Sequence, residues 1–108
     1  MDNSLKNTLT ISMKAAKLKC GFDPAKEAIE NGTAAVVLVM ADASPKTEKE
    51  IRFFADRKGV RVIKTGIPIL EMQGAVGKKA AVLAVCDEGF AASILSKLGD
   101  PHVMEDSL

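Results

Sequence analysis

With 108 residues, 47% hydrophobic and 27% charged, the chain is long enough for one globular domain with one core and too short for two. No apolar run nears the ~20 residues that span a bilayer, and the start Met1–Lys6 lacks an apolar signal segment. Two cysteines, Cys20 and Cys86, make no disulfide framework, so a reducing cytoplasm and no membrane partner are expected; the net charge of +1 excludes nothing.

In chain order, Leu5, Leu9, Met13 and Ala16 recur at helical spacing and predict a first helix over 4–16. Lys17-Leu18-Lys19-Cys20 alternates polar and apolar and reads as a short edge strand. Gly21 turns the chain, Asp23 is a candidate N-cap and Pro24 a candidate first helical residue. That second helix is expected to run from Pro24 to about Glu30 and to stop at Asn31-Gly32.

The run from Ala35 to Ala41 is continuously apolar and partly β-branched, as a strand covered on both faces requires. Ser44 and Pro45 open a third helix, with Ile51, Phe54 and Ala55 on its inner face and Phe53 off that stripe. Val60 to Lys64 is a third strand, followed by a short helix around Pro68–Ala75 and a basic turn over Gly74–Lys79. A second buried strand spans Ala80 to Cys86, and Asp87 caps a final helix bearing Phe90, Ile94 and Leu98 on one side.

Helices and strands alternate without a linker or repeat. The expected fold is an α/β, three-layer α/β/α sandwich with a four-stranded mixed, largely parallel sheet. The domain is expected over 4–99, with a polar C-terminal tail at 100–108.

Catalysis finds little support. The single histidine, His102, falls in the tail, so neither a histidine triad nor a metal site is expected, and no catalytic residue or cofactor is assigned. Cys20 beside a helix start reads as a buried thiol rather than a nucleophile. Asp42 and Asp87 follow strands but read as a turn residue and a cap. Gly74 and Gly77 lack the strand and spacing of a dinucleotide fingerprint.

Charge is distributed unevenly. Residues 1–26 hold five lysines against two aspartates, 45–64 hold seven basic against three acidic residues, and 80–108 hold one lysine against five acids. A solvated helix face explains such an excess as readily as a polyanion does. Three turns, Gly21–Lys26, Ala41–Pro45 and Gly74–Lys79, combine glycines, helix starts and lysines in the manner of a phosphate-contacting edge. Phe22 is the one aromatic in these turns, and it reads better as packed against the sheet than as a stacking platform.

The segments Lys14–Gly21, Ala28–Gly32, Val37–Pro45, Glu71–Lys78 and Val85–Ala91, in this order and spacing, resemble the ribosomal protein L-seven-Ae family of kink-turn RNA-binding proteins. The resemblance spans about residues 5–98, and its bacterial paralogues look most similar. It implies a three-layer sandwich and RNA binding through the same three turns, with Lys14, Lys17, Gly21, Asp23, Lys26, Ala75, Val76 and Lys78 as the contacting residues. It also implies ribosomal or other structured RNA as partner, with protein partners in the translation machinery.

The chain departs from the family pattern where RNA is read. Kink-turn binders carry Gly-Thr-Asn-Glu in the first turn and a lysine three residues later. Here the amide falls on Asp23, the carboxylate on Pro24 and the lysine on Glu27, while Gly21 matches. In the third turn Ala75 and Val76 are kept, but the arginine position holds Gly74. Two functions are therefore expected as alternatives: RNA binding with altered reading residues, or a protein-interaction module that has lost RNA.

Overall fold

A computed structural model describes residues 1–99; the expected tail at 100–108, with His102, lies outside the described residues. The elements are α1 (Asn3–Lys14), β1 (Leu18–Cys20), α2 (Phe22–Glu30), β2 (Val36–Val39), α3 (Pro45–Arg57), β3 (Arg61–Lys64), α4 (Ile69–Val76), β4 (Val82–Val85) and α5 (Glu88–Lys97). The caps explain most of the helix starts. Asp2 accepts from the Leu5 amide, Ser44 from that of Thr47 and Asp87 from that of Phe90, each filling one of the donors a helix start leaves open.

Two helix boundaries differ from the sequence reading by two residues. The first helix ends at Lys14 rather than continuing to residue 16, because Ala16 adopts a left-handed φ of 60° that turns the chain into β1. The second begins two residues before Pro24, with Gly21 rather than Asp23 in the cap position and no side chain capping it.

The sheet order is β1-β4-β2-β3. β2 and β3 are parallel, and β4 is antiparallel to both β1 and β2. Three strands thus share one direction, as expected of a mixed, largely parallel sheet, and β4 alone runs against them. The residues flanking α4 meet the same end of β2, the Ala41 amide donating to Ile67 and the Met40 amide to Ala81, so the chain leaves and re-enters the sheet at one end.

Strand alternation divides the core in two. Val36, Leu38 and Met40 of the β2 segment, with Leu83 and Val85 of β4, face Leu5, Leu9, Met72 and Ile94 on α1, α4 and α5. Val37, Val39, Val82 and Ala84 face Ala25, Ala28, Ile29, Ile51 and Ala55 on α2 and α3. This is the α/β/α sandwich, and the two central strands are covered on both sides because every side chain on them is apolar.

Leu38 is wholly buried in the larger cluster. Leu38→Ala is expected to destabilise the fold by about 2–5 kcal/mol, the usual range for a core leucine cavity. Urea unfolding followed by circular dichroism measures it.

Candidate nucleic-acid interface

The carboxyl ends of β1, β2 and β3 and the amino end of β4 lie at one end of the sheet. Backbone hydrogen bonds tie the connections there to one another. The Gly21 amide donates to the Val82 carbonyl, that of Met40 to Ala81 and that of Ala41 to Ile67. The Asp42 carboxylate accepts from the Ile69 amide, so this aspartate of the second turn caps α4. Four connections therefore share the edge: Gly21, the segment 40–44, the segment 65–68 and the segment 77–81. The turn at 65–68 was not among the three found from the sequence, although Thr65-Gly66 directly after a strand is a turn signal.

Gly21 sets the geometry of the first turn. Its φ of 110° and ψ of 163° lie in a region that is essentially glycine-only. This conformation lets the chain pass from an edge strand into α2 with no residue between. The start of α2 points the Phe22 and Asp23 amides outward; Pro24, in the third helical position, has no N–H to add. The helix dipole makes this end positive, and the exposed Asp23 carboxylate in the first turn opposes an incoming anion.

Beside this turn is an open hollow of about 350 Å³, lined by Met13, Ala16, Leu18, Cys20, Pro24 and the two lysines Lys19 and Lys78. It joins the end of α1, the edge strand β1, the first turn of α2 and the connection into β4. Burial pushes the Cys20 thiol above its ordinary value, and the nearby Lys78 charge pulls it partly back. Cys20 is thus held as a thiol, which disfavours a nucleophilic role. Lys19 also lines a second hollow with Pro24, Glu27, Ala28, Asn31 and Thr33. Lys19 is absent from the residues assigned to RNA contact from the sequence, where its alternation with Leu18 marked it as outward-facing.

The residues expected to contact RNA are dispersed. Gly21, Asp23 and Lys78 meet at the edge, and Lys14 sits in the last turn of α1, where its neighbours Met13 and Ala16 line the hollow. The Lys17 carbonyl accepts from the Cys86 amide at the far end of β4, which puts Lys17 about four extended residues, roughly 13 Å of strand, from Gly21. Lys26 carries its ammonium over the Phe54 ring, 4.4 Å from the centroid, so its charge is directed to α3. Phe22, expected against the sheet, is half-buried and packs edge-on to Phe54 of α3 at 6.4 Å.

Gly74, Ala75 and Val76 are not part of a turn. They form the end of α4, and Ala75 and Val76 are buried in the larger core cluster, while Gly77 closes the helix in the left-handed conformation. The apolar character of this pair is used by the core, because the α4 face carrying Met72 must also carry its neighbours at helical spacing. At the opposite side of the edge, Lys64 ends β3 and lies 3.3 Å from Glu48. Arg52 and then Lys64 hold the Glu48 carboxyl below the usual carboxylate range.

Among the described residues, no group of three His, Cys, Asp or Glu is placed to hold a metal, and no helix is long and apolar enough to cross a membrane.

The model of the Ribosomal protein L7Ae/L30e/S12e/Gadd45 family matches residues 3–95. The chain belongs to this family. Among solved structures, it is similar to a protein of unknown function from Bacillus halodurans, at 22% identity and a TM-score of 0.83, over 92% of this chain and all of the other. It is also similar to a Giardia lamblia 15.5kD RNA binding protein, at 18% identity and a TM-score of 0.72, over 93% of this chain and 87% of the other. At these identities the likeness concerns the fold. No curated protein matches the chain.

Two outcomes test this geometry. Gly21→Ala is expected to cost about 1–3 kcal/mol, since alanine is strained at that φ and ψ, read as a lower urea midpoint. Lys78→Gln removes the charge that favours the Cys20 thiolate, so alkylation of Cys20 at fixed mildly alkaline pH, located by mass spectrometry, is expected to slow. An unchanged rate would separate Lys78 from the hollow.

Proposed function

We propose that this protein binds structured RNA along the four-turn edge, chiefly through phosphate contact. The observation that carries the reading is the convergence of Lys19, Lys78 and Pro24 of the first turn of α2 around one hollow, next to the turn at Gly21, in a chain of this family. The Giardia relative's RNA-binding description supports it. Lysines and outward amides neutralise and orient a phosphate backbone without reading bases. The altered first turn weakens base recognition: Asp23 cannot donate to a base edge as an amide would, and Glu27 adds a second exposed anion. The RNA is ribosomal or another structured RNA of the cytoplasm, and the role is one of binding rather than catalysis.

A second reading is a protein-interaction module that has lost RNA. It is favoured by the acids at Asp23 and Glu27 and by the direction of Lys26, which points to Phe54 rather than to the edge. Affinity capture with and without nuclease treatment distinguishes the two, because RNA-mediated partners disappear with nuclease.

Fluorescence anisotropy with a kink-turn RNA and with a mixed structured RNA, at low and moderate salt, tests the main reading. Binding should weaken steeply with salt, and Lys19→Ala with Lys78→Ala should reduce the slope of log K against log salt by about 0.7–0.9 for each phosphate no longer neutralised. Asp23→Asn, Pro24→Glu and Glu27→Lys together add two positive charges and restore the amide. That variant should bind the kink-turn RNA about tenfold tighter or better, a gain of ~1.4 kcal/mol. Absence of binding to either RNA by the folded wild-type chain would rule the proposal out.

A further inference from the structure

Away from the turn edge, α3 presents an outer face that the core does not use. Ile51 and Ala55 point inward, while Phe53 is 57% exposed. Phe53 forms a ridge between two open hollows. One, of about 460 Å³, is lined by Lys46, Lys49, Glu50, Phe53 and Phe54. The other, of about 560 Å³, lies on the Pro45, Arg52 and Asp56 side of the same ring.

The aromatic pair is already arranged by its neighbours. Phe53 and Phe54 meet edge to face, 5.4 Å apart, with the Arg57 guanidinium over Phe53 and the Lys26 ammonium over Phe54. Of the four ring faces, two lie under cations and at least one receives a ring edge. A nucleobase needs an open face on which to stack; an apolar side chain needs only a hollow beside the rings.

The charges around the rings select the partner. Lys26, Lys46, Lys49, Arg52, Arg57 and Lys58 surround the aromatic pair, against Glu30, Glu48, Glu50 and Asp56, with Arg52 paired to Glu48 and Lys46 to Glu50, which leaves the cations in excess. A second copy of α3 is opposed by the same charges. Antiparallel pairing about Phe53 sets Lys49 against Arg57 and Glu50 against Asp56, with Glu48 and Lys58 opposite in sign, and parallel pairing sets each charge against itself. Like charges in an interface oppose association.

We propose that the outer face of α3 is a docking surface for an acidic protein segment carrying a bulky apolar residue. The apolar side chain enters the hollow between Phe53 and Phe54, and flanking carboxylates meet Lys46, Lys49 and Arg57. Aromatic and arginine groups of this kind are the usual anchors of protein interfaces, and the surrounding cations provide orientation and rate of encounter. The surface adjoins the turn edge at Pro45 and through the Phe22–Phe54 contact, but Gly21, Lys19 and Lys78 line neither of its hollows, so it does not depend on the RNA reading.

The test uses the full chain and a displayed library of short random peptides, selected on wild type and counter-selected on Phe53→Ala. Selected peptides are expected to be net acidic with a leucine, isoleucine, phenylalanine or tryptophan, and to bind Phe53→Ala and Lys49→Glu about tenfold or more weakly. Both variants should keep the wild-type far-UV spectrum, and Phe53→Ala the wild-type RNA affinity. Enrichment of neutral or basic peptides, or peptides indifferent to Phe53, overturns the proposal, as does a failure to enrich any. An oligo-uridylate that shifts the Phe53 amide resonance more than the selected peptide does also overturns it, by assigning the face to nucleic acid.

Discussion

The structure depends on where β4 lies. It is wedged between β1 and β2, antiparallel to both, and it supplies the hydrogen bonds that hold those parallel strands in one sheet. All four of its side chains are apolar and buried, two toward each helix layer, so one short strand seals both cores. Reversal also brings its first residues to the carboxyl ends of the other strands. The Gly21–Val82, Met40–Ala81 and Ala41–Ile67 bonds then draw four connections into one edge. Ligand sites of α/β folds lie outside the carboxyl ends of strands because connections meet there without helix cover.

At that edge, binding chemistry and reading chemistry separate. The start of α2 and the lysines around the hollow act on charge, which any phosphate backbone carries. Base selection needs donors and acceptors at set positions, and Asp23, Pro24 and Glu27 differ from the family pattern there in hydrogen bonding, charge or both. An amide replaced by a carboxylate loses its donor, and a proline in the third helical position removes a backbone donor as well. On the proposed RNA-binding reading, what is left favours backbone contact with little discrimination among bases.

The two faces of α3 show how one helix serves different ends. Ile51 and Ala55 fill the smaller core, and Glu48 links Arg52 to Lys64 of β3, fastening the helix to the sheet. Phe54 is shared: it packs with Phe22 and takes the Lys26 ammonium on its face. That contact directs the Lys26 ammonium toward α3. Successive helix residues differ by about 100° in direction, so a shift of one position carries the charge to another face.

Element order, the three layers and the caps at Ser44 and Asp87 were legible in the sequence, because apolar periodicity and capping residues act over a few neighbours. Gly21 was legible as a turn for the same reason. Its role as the cap of α2 was not, since Asp23 and Pro24 satisfy cap preferences equally well until the backbone conformation at Gly21 is known. Ala75 and Val76 read as turn residues beside two glycines, yet packing against Met72 drew them into α4. Lys17, three residues from Lys14, was carried to the far end of the sheet by the register of β1 on β4. Local patterning determined which segments become helices and strands; which turns meet, and which lysines share an edge, was decided by strand register and the direction of β4, which arise only from contacts between residues distant in the chain.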